Sequence, residues 1–431
     1  MARSVDCPRS FGLALAGIAL LASCSLPVDA PKSIRLLAIG QVMPRESPID
    51  TWFSADPLVQ YTLVPTDIDP WFGLNPAAKT PEETEETWRR FVRIYFPKSR
   101  EALRNGFDFF VFPDAYLEPF SLTQLADMKY AIENGTGSLV TFGGDVSTPT
   151  YKSWPGWANS VLGETLPVKM TLDMIAVGGV FYVRVVKTDP PVLSMFLPLG
   201  LEKWVGGVGF SHLHPKEGAE VWAKVKSDRL KSVDPGNFLV SWRYGSGVSW
   251  AVADDMDHLW WSGLFYPSEH NNEYAEDVFL NIVFYSIGWD LPKDVVLVHR
   301  VRTRYFQYNQ RKLLLYVLLD FVDSFGANTR DIERQIAEVE SLKAKSFDMY
   351  SEMDYEQALT FIDEAIAGIE SAETNAMRLR EKAFFWVYLT EWSAVTGAFC
   401  SSGLVVYSLL VRRMLYREVA VTRSRAGERQ S

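Results

Sequence analysis

Four polar residues past the middle of the chain carry side chains that could do acid–base or metal chemistry. They are Asp254, Asp255, Asp257 and His258, in the segment YGSGVSWAVADDMDHLWW. Carboxylates beside an imidazole can bind a divalent cation or transfer protons during sugar hydrolysis, and Trp260 and Trp261 could stack on a sugar ring. The same residues are also typical of a turn, with the tryptophans packing a hairpin on a helix. Asp255 and His258 are therefore the candidate catalytic residues.

A second pair of candidates, His212 and His214, lies in the segment GFSHLHP. Alternate residues of a strand point to the same face, so this spacing could hold a metal ion. A protein metal site usually needs a third ligand, and none is evident around the pair. We expect no metal and no other cofactor.

The three cysteines exclude several kinds of chemistry from most of the chain. They stand at positions 7, 24 and 400. No disulfide, cysteine metal site or thiol nucleophile can therefore be built from residues 25–399. Any site in this long central part must use other side chains or the backbone.

The elements that must position these candidates are predicted most clearly around Asp114. They are a strand at residues 107–112 (FDFFVF), a capped helix at 121–133 and a strand at 138–142 (SLVTF). Strand, helix and strand over about 35 residues indicate a parallel crossover unit. The elements predicted around this unit are a strand at 33–40, an irregular Pro- and Trp-rich loop at 44–80, a helix at 84–104, several short strands within 170–250 and a helix at 273–287.

At this unit the sequence shows a family resemblance. The segment GFDFFVFPDAYLEPFSLTQLADMKYAIENGTGSLVTFGGDV resembles class I glutamine-amidotransferase-like proteins, in particular their membrane-associated and trehalose-utilisation-type relatives. WANSVLGETLPV and YGSGVSWAVADDMDHLWW are similar to later segments of that family. The resemblance covers residues 34–290. It implies an α/β domain with a flavodoxin-like, mostly parallel sheet and an added β-rich part.

The chain departs from the family at the position that decides catalysis. In the family, a turn after a strand carries a nucleophilic Cys that is served by a His, whereas here that position is Gly143. Glutamine hydrolysis by the family mechanism is therefore excluded. Backbone N–H groups at such a turn can still bind a ligand where parallel strands end. The candidate ligand-binding crevice comprises Asp114, Gly143, Gly144 and Asp145.

Near the end of the chain, residues 392–411 (WSAVTGAFCSSGLVVYSLLV) carry no formal charge. As a helix they would be about 30 Å long, which is the thickness of the hydrocarbon core of a bilayer. Six arginines against two glutamates follow, and an excess of Arg marks the cytoplasmic side. We predict a transmembrane helix at residues 384–411 and a cytoplasmic tail at 412–431. A buried core helix is the alternative.

The start of the chain is typical of an exported protein. Arg3 and Arg9 precede an apolar stretch, FGLALAGIALLA, that is too short to span a bilayer. Residues 1–24 are therefore predicted to be a signal peptide. Its last four residues, LASC, resemble a lipobox in which Cys24 is lipidated, and cleavage near Ala30 is the alternative. Both alternatives place the following domain outside the cytoplasm.

A helical stalk at residues 300–383 is predicted to join the α/β domain, residues 32–292, to the membrane. Its two amphipathic segments indicate an antiparallel hairpin, with Asp354 as an N-cap and Gln357 as the capping partner. The apolar run LLLYVLL at residues 313–319 is too short to span a bilayer. We interpret it as a buried helical turn between the domain and the hairpin.

Charge and architecture together narrow the class of function. The net charge is −10 although the tail is basic, which disfavours nucleic acid as a partner. We predict a membrane-anchored, non-catalytic component of the cell envelope that binds a small-molecule or glycan ligand, or an envelope protein. The alternatives are an extracytoplasmic hydrolase acting on carbohydrate or peptide, and a structural subunit of a transport or secretion complex.

Overall fold

The computed structural model describes residues 33–42, 48–66, 81–142, 156–169, 174–177, 179–207, 209–229, 236–256, 260–261 and 271–427. The strands are β1 (Ile34–Gly40), β2 (Val59–Pro65), β3 (Phe109–Phe112), β4 (Gly137–Thr141), β5 (Val168–Lys169), β6 (Met174–Ala176), β7 (Tyr182–Val185), β8 (Gly209–Ser211), β9 (His214–Pro215), β10 (Glu220–Lys226), β11 (Asn237–Tyr244) and β12 (Gly247–Val252). The helices are α1 (Ile49–Ala55), α2 (Pro81–Tyr95), α3 (Arg100–Gly106), α4 (Leu122–Glu133), α5 (Ala275–Ile287), α6 (Val295–Asp323), α7 (Arg330–Ser351) and α8 (Tyr355–Gly427).

An eight-stranded sheet forms the centre of the α/β domain, in the order β2-β1-β3-β4-β12-β11-β10-β7. The first five strands in this order run parallel, and the remaining three pair antiparallel. The parallel part has the doubly wound, flavodoxin-like order, with its topological switch point between β1 and β3. The predicted α/β fold, with a mostly parallel sheet and an added β-rich part, is confirmed.

The predicted strand–helix–strand unit is present as β3, α4 and β4. Its helix begins at a capping box, in which the Gln124 backbone N–H donates to Ser121 Oγ at 3.3 Å and the Ser121 backbone N–H donates to Gln124 Oε1 at 2.9 Å. β3 and β4 pair in parallel. The predicted hairpin is also present, and its second strand, β12, continues the parallel part of the sheet beside β4.

The predicted irregular loop at residues 44–80 contains two regular elements, α1 and β2, so the prediction is wrong where this region is described. Pro48 stands directly before α1, Pro57 lies between the two elements and Pro65 is the last residue of β2. Proline at such positions removes no interior hydrogen bond of a helix or strand. The prolines therefore mark the ends of elements rather than an irregular segment.

The single helix predicted at residues 84–104 is two helices. α2 ends at Tyr95, and α3 begins after Ser99, whose Oγ accepts a hydrogen bond from the Ala102 backbone N–H at 3.1 Å. Pro97 lies between them and has no N–H to continue α2. The break reflects a proline followed at once by a good N-cap residue.

One part of the α/β domain core lies between the parallel strands and the helices α1 and α5, and residues of α3 and α4 belong to the same core. Phe279 of α5 packs edge-on against Phe109 of β3, with ring centroids 6.3 Å apart. The same ring lies 6.0 Å from Trp52 and 5.6 Å from Phe53, both on α1. α1, which the sequence did not predict, is thus a core element.

The helices α6, α7 and α8 form a three-helix bundle with its own apolar core. α7 runs antiparallel to the other two, which confirms the predicted hairpin. Asp354 caps α8 by accepting a hydrogen bond from the Gln357 backbone N–H at 3.1 Å, as predicted. Leu58, from the α/β domain, belongs to the bundle core, so the two parts share apolar contacts.

The apolar run at residues 313–319 is not a separate buried turn, so this interpretation is wrong. It lies inside the 29-residue helix α6. Leu315 and Leu319 are buried in the bundle, whereas Leu313, Leu314 and Val317 point to solvent. The reason is that α6 packs on the bundle through one face only.

α8 is one continuous helix of 73 residues, about 110 Å long. Its first part packs in the bundle, and its residues 391–410 are all exposed. Of the described helices, α8 alone is long and apolar enough to cross a membrane. The predicted signal peptide with Cys24 lies outside the described residues. The predicted boundaries between domain, stalk and span stay predictions.

Candidate functional site

The five parallel strands end at one edge of the sheet, which we call the carboxyl edge. A buried polar side chain stands at the end of each strand or within three residues after it. These residues are Thr66 after β2, Gln41 after β1, Asp114 after β3, Thr141 at the end of β4, and Asp254 and Asp255 after β12. Open α/β sheets bind their ligands at this edge, beside the switch point. Here the switch point lies between Gln41 and Asp114.

Asp114 has the most constrained geometry at the carboxyl edge. Its φ is +44°, a left-handed conformation that costs an L-residue other than glycine about 1–2 kcal/mol. The Asp114 backbone N–H donates to Thr141 Oγ1 at 3.1 Å, and the Thr141 hydroxyl lies 3.3 Å from Asp114 Oδ1 as its donor. β4 thus holds the Asp114 carboxylate in place. Backbone strain at the end of a central strand is typical of a functional position.

The neighbouring end of β1 is tied tightly to the chain before Asp114. The Gln41 backbone N–H donates to the Pro113 carbonyl oxygen at 2.7 Å. Gly40 has a φ of +132°, and a Cβ at this position would overlap that same carbonyl oxygen. Only glycine allows the ends of β1 and β3 to approach this closely. The two sides of the switch point therefore form one rigid unit.

At the far side of the parallel part, Asp254 and Asp255 follow β12 and are both buried. The Asp255 backbone N–H donates to Asp254 Oδ1 at 3.1 Å. The backbone of Gly207 approaches the Asp254 carboxylate so closely that a Cβ there would contact it. β4 lies between β3 and β12, which puts the two strand ends about 10 Å apart.

The predicted site residues are only partly placed. Asp114 and Asp255 lie at the same edge of the sheet, as their positions after parallel strands require. Gly143, Gly144, Asp145 and His258 lie outside the described residues. Their convergence with Asp114 and Asp255 stays a prediction.

His212 and His214 lie side by side, with ring centroids 4.2 Å apart. They border the carboxyl edge, because the backbone N–H of Ser211 donates to the Ala253 carbonyl oxygen at 2.8 Å. Within the ranges given above, no group of three His, Cys, Asp or Glu residues could hold a metal ion. The described residues therefore supply no third ligand for this pair.

Trp260 and Trp261 are buried, each about 1% exposed, and their rings lie 4.7 Å apart in an edge-on arrangement. Trp260 packs on Trp204 and Phe238, with centroids 6.3 and 5.0 Å away. Trp261 packs on Trp52 of α1 at 6.0 Å. These contacts support packing rather than sugar stacking as their role.

One protein family matches the part of the chain that contains most of the carboxyl edge. Residues 109–284, from the start of β3 into α5, match the family model described as "putative glutamine amidotransferase". This part of the α/β domain is similar to glutamine amidotransferases. The match confirms the resemblance predicted from the sequence. The matched residues include the strands β3, β4 and β12. These three strands carry four of the six buried polar residues at the carboxyl edge.

Several solved structures are similar to this chain. The cytoplasmic protein STM3548 of Salmonella typhimurium is 18% identical, with a TM-score of 0.42, over 59% of this chain and 99% of its own. The cytoplasmic protein STM1381 of Salmonella typhimurium LT2 is 18% identical, with a TM-score of 0.41 and the same coverage. A β-galactosidase from Bacillus circulans sp. alkalophilus is 11% identical, with a TM-score of 0.35, over 61% of this chain and 32% of its own. No curated protein matches the chain.

A second buried polar cluster lies where the α/β domain meets the helical bundle, and the sequence did not predict it. Arg302 of α6 is fully buried; its Nε donates to Asp56 Oδ2 at 2.8 Å and its Nη1 to Asp277 Oδ1 at 2.6 Å. The Tyr350 hydroxyl of α7 also donates to Asp56 Oδ2, at 2.8 Å. His299 Nδ1 lies 2.6 Å from the other oxygen of Asp277. We call this group the junction cluster.

The neighbours of Arg302 in the junction cluster keep its guanidinium charged. Burial alone would lower the pKa of Arg302, but Tyr350, Asp56 and Asp277 raise it, and the net pKa lies well above the ordinary value. Burial raises the pKa of Tyr350, so its hydroxyl remains a donor. Two carboxylates and one guanidinium with direct hydrogen bonds form a buried ionic network that joins three elements. Its hydrogen bonds link α6 and α7 of the bundle to Asp56 and Asp277 of the α/β domain.

Glu276, at the start of α5, makes the junction cluster sensitive to pH. It is half-buried, and its Oε1 has no hydrogen-bond partner among the described residues. Burial raises the pKa of Glu276 well above its ordinary value, and the neighbouring Asp277 raises it further, although Arg302 opposes both. An unfolded glutamate titrates near 4.3, so above about pH 4.3 folding takes up a proton and stability falls as the pH rises.

Replacing Glu276 with Gln should therefore raise the Tm at neutral pH and flatten the fall of Tm between about pH 4.3 and the raised folded pKa. Below that window the two proteins should melt alike. The measurement is thermal unfolding of the full-length protein in detergent from pH 4 to 8. Glu273→Gln, on an exposed residue of the preceding turn, is the control. Parallel pH profiles for Glu276→Gln and the original chain would contradict the assignment.

Proposed function

We propose that this chain is a single-pass membrane protein whose glutamine amidotransferase-like domain lies outside the cytoplasm and binds a polar ligand at the carboxyl edge. The observation that carries the proposal is Asp114, a buried acid in a strained conformation beside the switch point, which Thr141 holds in place. No cysteine is present in residues 25–399, so the family's thiol mechanism has no nucleophile. The domain is proposed to bind without hydrolysing glutamine.

The side chains at the carboxyl edge indicate the chemical class of the ligand. Asp114, Asp254 and Asp255 are buried acids, and Gln41 and Thr141 add an amide and a hydroxyl. Carboxylates accept hydrogen bonds from hydroxyl and ammonium groups. A small molecule or glycan rich in such groups fits this edge better than an anion does.

The membrane assignment rests on the length and exposure of α8. Residues 391–410 are exposed along its whole circumference, as expected for a helix that contacts lipid rather than a protein core. The arginines that follow favour the cytoplasm for the C-terminal end. Protease added to intact cells should therefore digest the α/β domain and spare the tail. Protection of the domain in intact cells, with digestion only after lysis, would contradict the orientation.

Ligand binding can be tested with two variants at opposite ends of β3. Asp114→Asn keeps a residue that tolerates the left-handed conformation but removes the charge. Asp108→Asn is the matched control, because Asp108 stands before β3 and pairs with Arg35 at 2.7 Å, at the edge of the sheet away from the proposed site. The full-length protein in detergent is screened by thermal shift against amino sugars, cell-wall glycan fragments, polyamines and amino acids.

The expected result is a ligand that raises the Tm of the original chain and of Asp108→Asn, with the shift lost in Asp114→Asn. A shift that survives in Asp114→Asn would place the ligand elsewhere. Ammonia released from glutamine by the purified protein would contradict the non-catalytic part of the proposal. A glycan or peptide that is cleaved, with cleavage lost in Asp255→Asn, would favour the hydrolase alternative instead.

A further inference from the structure

Exposed aromatic side chains gather where the helical bundle ends and the apolar part of α8 begins. Phe321 lies in the last turn of α6, and Phe325 lies in the turn between α6 and α7. Each is 41% exposed, and their ring centroids are 5.0 Å apart. Both rings also pack on Phe384 of α8, at 5.8 and 5.5 Å. We call Phe321 and Phe325 the corner, since they stand at the end of the bundle.

The depth of the corner follows from the apolar run of α8. Residues 383–411 contain a single charged residue, Glu391, and as a helix they are about 43 Å long. The hydrocarbon core is about 30 Å thick and the whole bilayer about 40–45 Å. A core centred on residues 383–411, rather than on the uncharged residues 392–411 alone, leaves about 6 Å on each side, which is one headgroup layer. This placement puts Glu391 about 5 Å inside the outer boundary of the core. Phe384 then lies in the outer headgroup layer, and the corner that packs on it lies at the same depth.

The chemistry of the corner matches that depth. Aromatic side chains are enriched where a protein crosses the interface between lipid and water. Next to Phe384, the rings of Phe385, Trp386 and Tyr388 on α8 are all more than half exposed. The corner continues this aromatic surface on a second element, away from the axis of α8. An apolar surface of this kind on a soluble bundle is uncommon unless something covers it.

We propose that the corner contacts the lipid headgroup layer and gives the protein a second membrane contact beside its span. This inference rests on the proposed function, because it requires α8 to cross the membrane. A span alone leaves a bundle free to tilt, whereas two contacts on different helices restrict the tilt. Since the junction cluster joins the bundle to the α/β domain, the corner also sets how the carboxyl edge faces the membrane.

The corner could instead be covered by a second copy of the chain. A second exposed apolar group on α6 provides a control for this alternative. Leu313, Leu314 and Val317 are each at least 60% exposed. Leu314 lies seven residues before Phe321 on α6, which puts it about 10 Å farther from the membrane. It is apolar like the corner and more exposed to a protein partner, but it lies beyond the headgroup layer.

The test places a photoreactive residue, p-benzoylphenylalanine, at one position at a time in the full-length protein. The positions are Phe325 at the corner, Leu314 as the control on the same helix and Phe399 within the predicted span. Each protein is reconstituted in vesicles of radiolabelled phosphatidylcholine and phosphatidylethanolamine. These lipids carry no net negative charge that would repel Asp320 and Asp323 beside the corner. After irradiation, the lipid label on the protein band and any band of twice the mass are measured.

The expected result is that the photoreactive residue captures lipid at positions 325 and 399 and captures none at position 314. Capture at Phe399 but not at Phe325 would overturn the inference and leave the membrane span standing. A dimer band from Phe325 without lipid label would show that the corner is an interface between copies, which also overturns it. Failure of capture at Phe399 would remove the span itself, and with it both the inference and the membrane part of the proposed function.

Discussion

Replacing Arg302 with Met is expected to lower the free energy of unfolding by about 3–5 kcal/mol, because it leaves two buried carboxylates without their cation. Asp56 would keep only the Tyr350 hydroxyl and a backbone N–H, and Asp277 would keep His299. The loss should appear in denaturant unfolding of the full-length protein in detergent. It should also uncouple the bundle from the α/β domain, so that two transitions replace one.

The matched control is Arg304→Met on the same helix. Arg304 pairs with Asp363 at 2.9 Å, but both side chains are 40% or more exposed, so this change should cost at most about 1 kcal/mol. Combining Arg302→Met with Asp56→Asn and Asp277→Asn removes the isolated charges and should recover most of the loss. If Arg302→Met costs no more than Arg304→Met, the junction cluster does not hold the bundle on the domain.

Replacing Gly40 with Ala is the second change with a large expected effect. We expect it to lower the free energy of unfolding by about 2–5 kcal/mol, which combines the penalty of a positive φ with the cost of forcing two backbone segments apart. The new Cβ would overlap the Pro113 carbonyl oxygen. Because Asp114 follows directly, ligand binding at the carboxyl edge should weaken as well. Unfolding and the thermal shift of any identified ligand measure the two effects.

Gly135→Ala separates the two contributions. Gly135 has a φ of +117°, close to that of Gly40, but nothing lies within 4 Å of a Cβ placed there. Its replacement should cost only the backbone penalty, about 1–2 kcal/mol, and should leave ligand binding unchanged. Equal losses for the two alanine variants would show that the contact between the ends of β1 and β3 contributes nothing.

The elements that the sequence predicted well carry their signals locally. α4 has its capping box in four consecutive residues, from Ser121 to Gln124, and β3 and β4 are short apolar runs bounded by turn residues. Gly245 and Gly247 in the sequence predict the hairpin of β11 and β12. Each of these elements is determined by residues that are close together in the chain, so a single sequence is enough to predict it.

The errors arose where local signals compete. Prolines at positions 48, 57 and 65 pointed to a loop, although each stands at the end of an element and none interrupts one. The run at residues 313–319 looked buried because it is apolar on all sides, and only the packing of α6 shows which face is covered. Composition cannot decide either case, because both depend on what lies across the fold.

The position of one candidate site could be predicted from the sequence, and that of the other could not. Asp114 could be predicted because residues that follow parallel strands meet at one edge, whatever their side chains do. The junction cluster could not, since Arg302 lies 246, 25 and 48 residues from its partners Asp56, Asp277 and Tyr350. An arginine in a helix is normally an exposed residue. Only the tertiary structure shows that this one is inside.

The separation between Asp56 and Arg302 also has a consequence for the order of events during synthesis. At about 5–20 residues per second, the ribosome completes Asp56 about 12–50 s before Arg302, which lies 246 residues later. The sheet can be completed in that interval, because its last strand, β12, ends at Val252. Until α6 is synthesised, the nascent domain would expose Asp56 and Asp277 in an open pocket beside Leu58. Docking of α6 is therefore a late step, and a chain stopped at residue 292 would keep that pocket open.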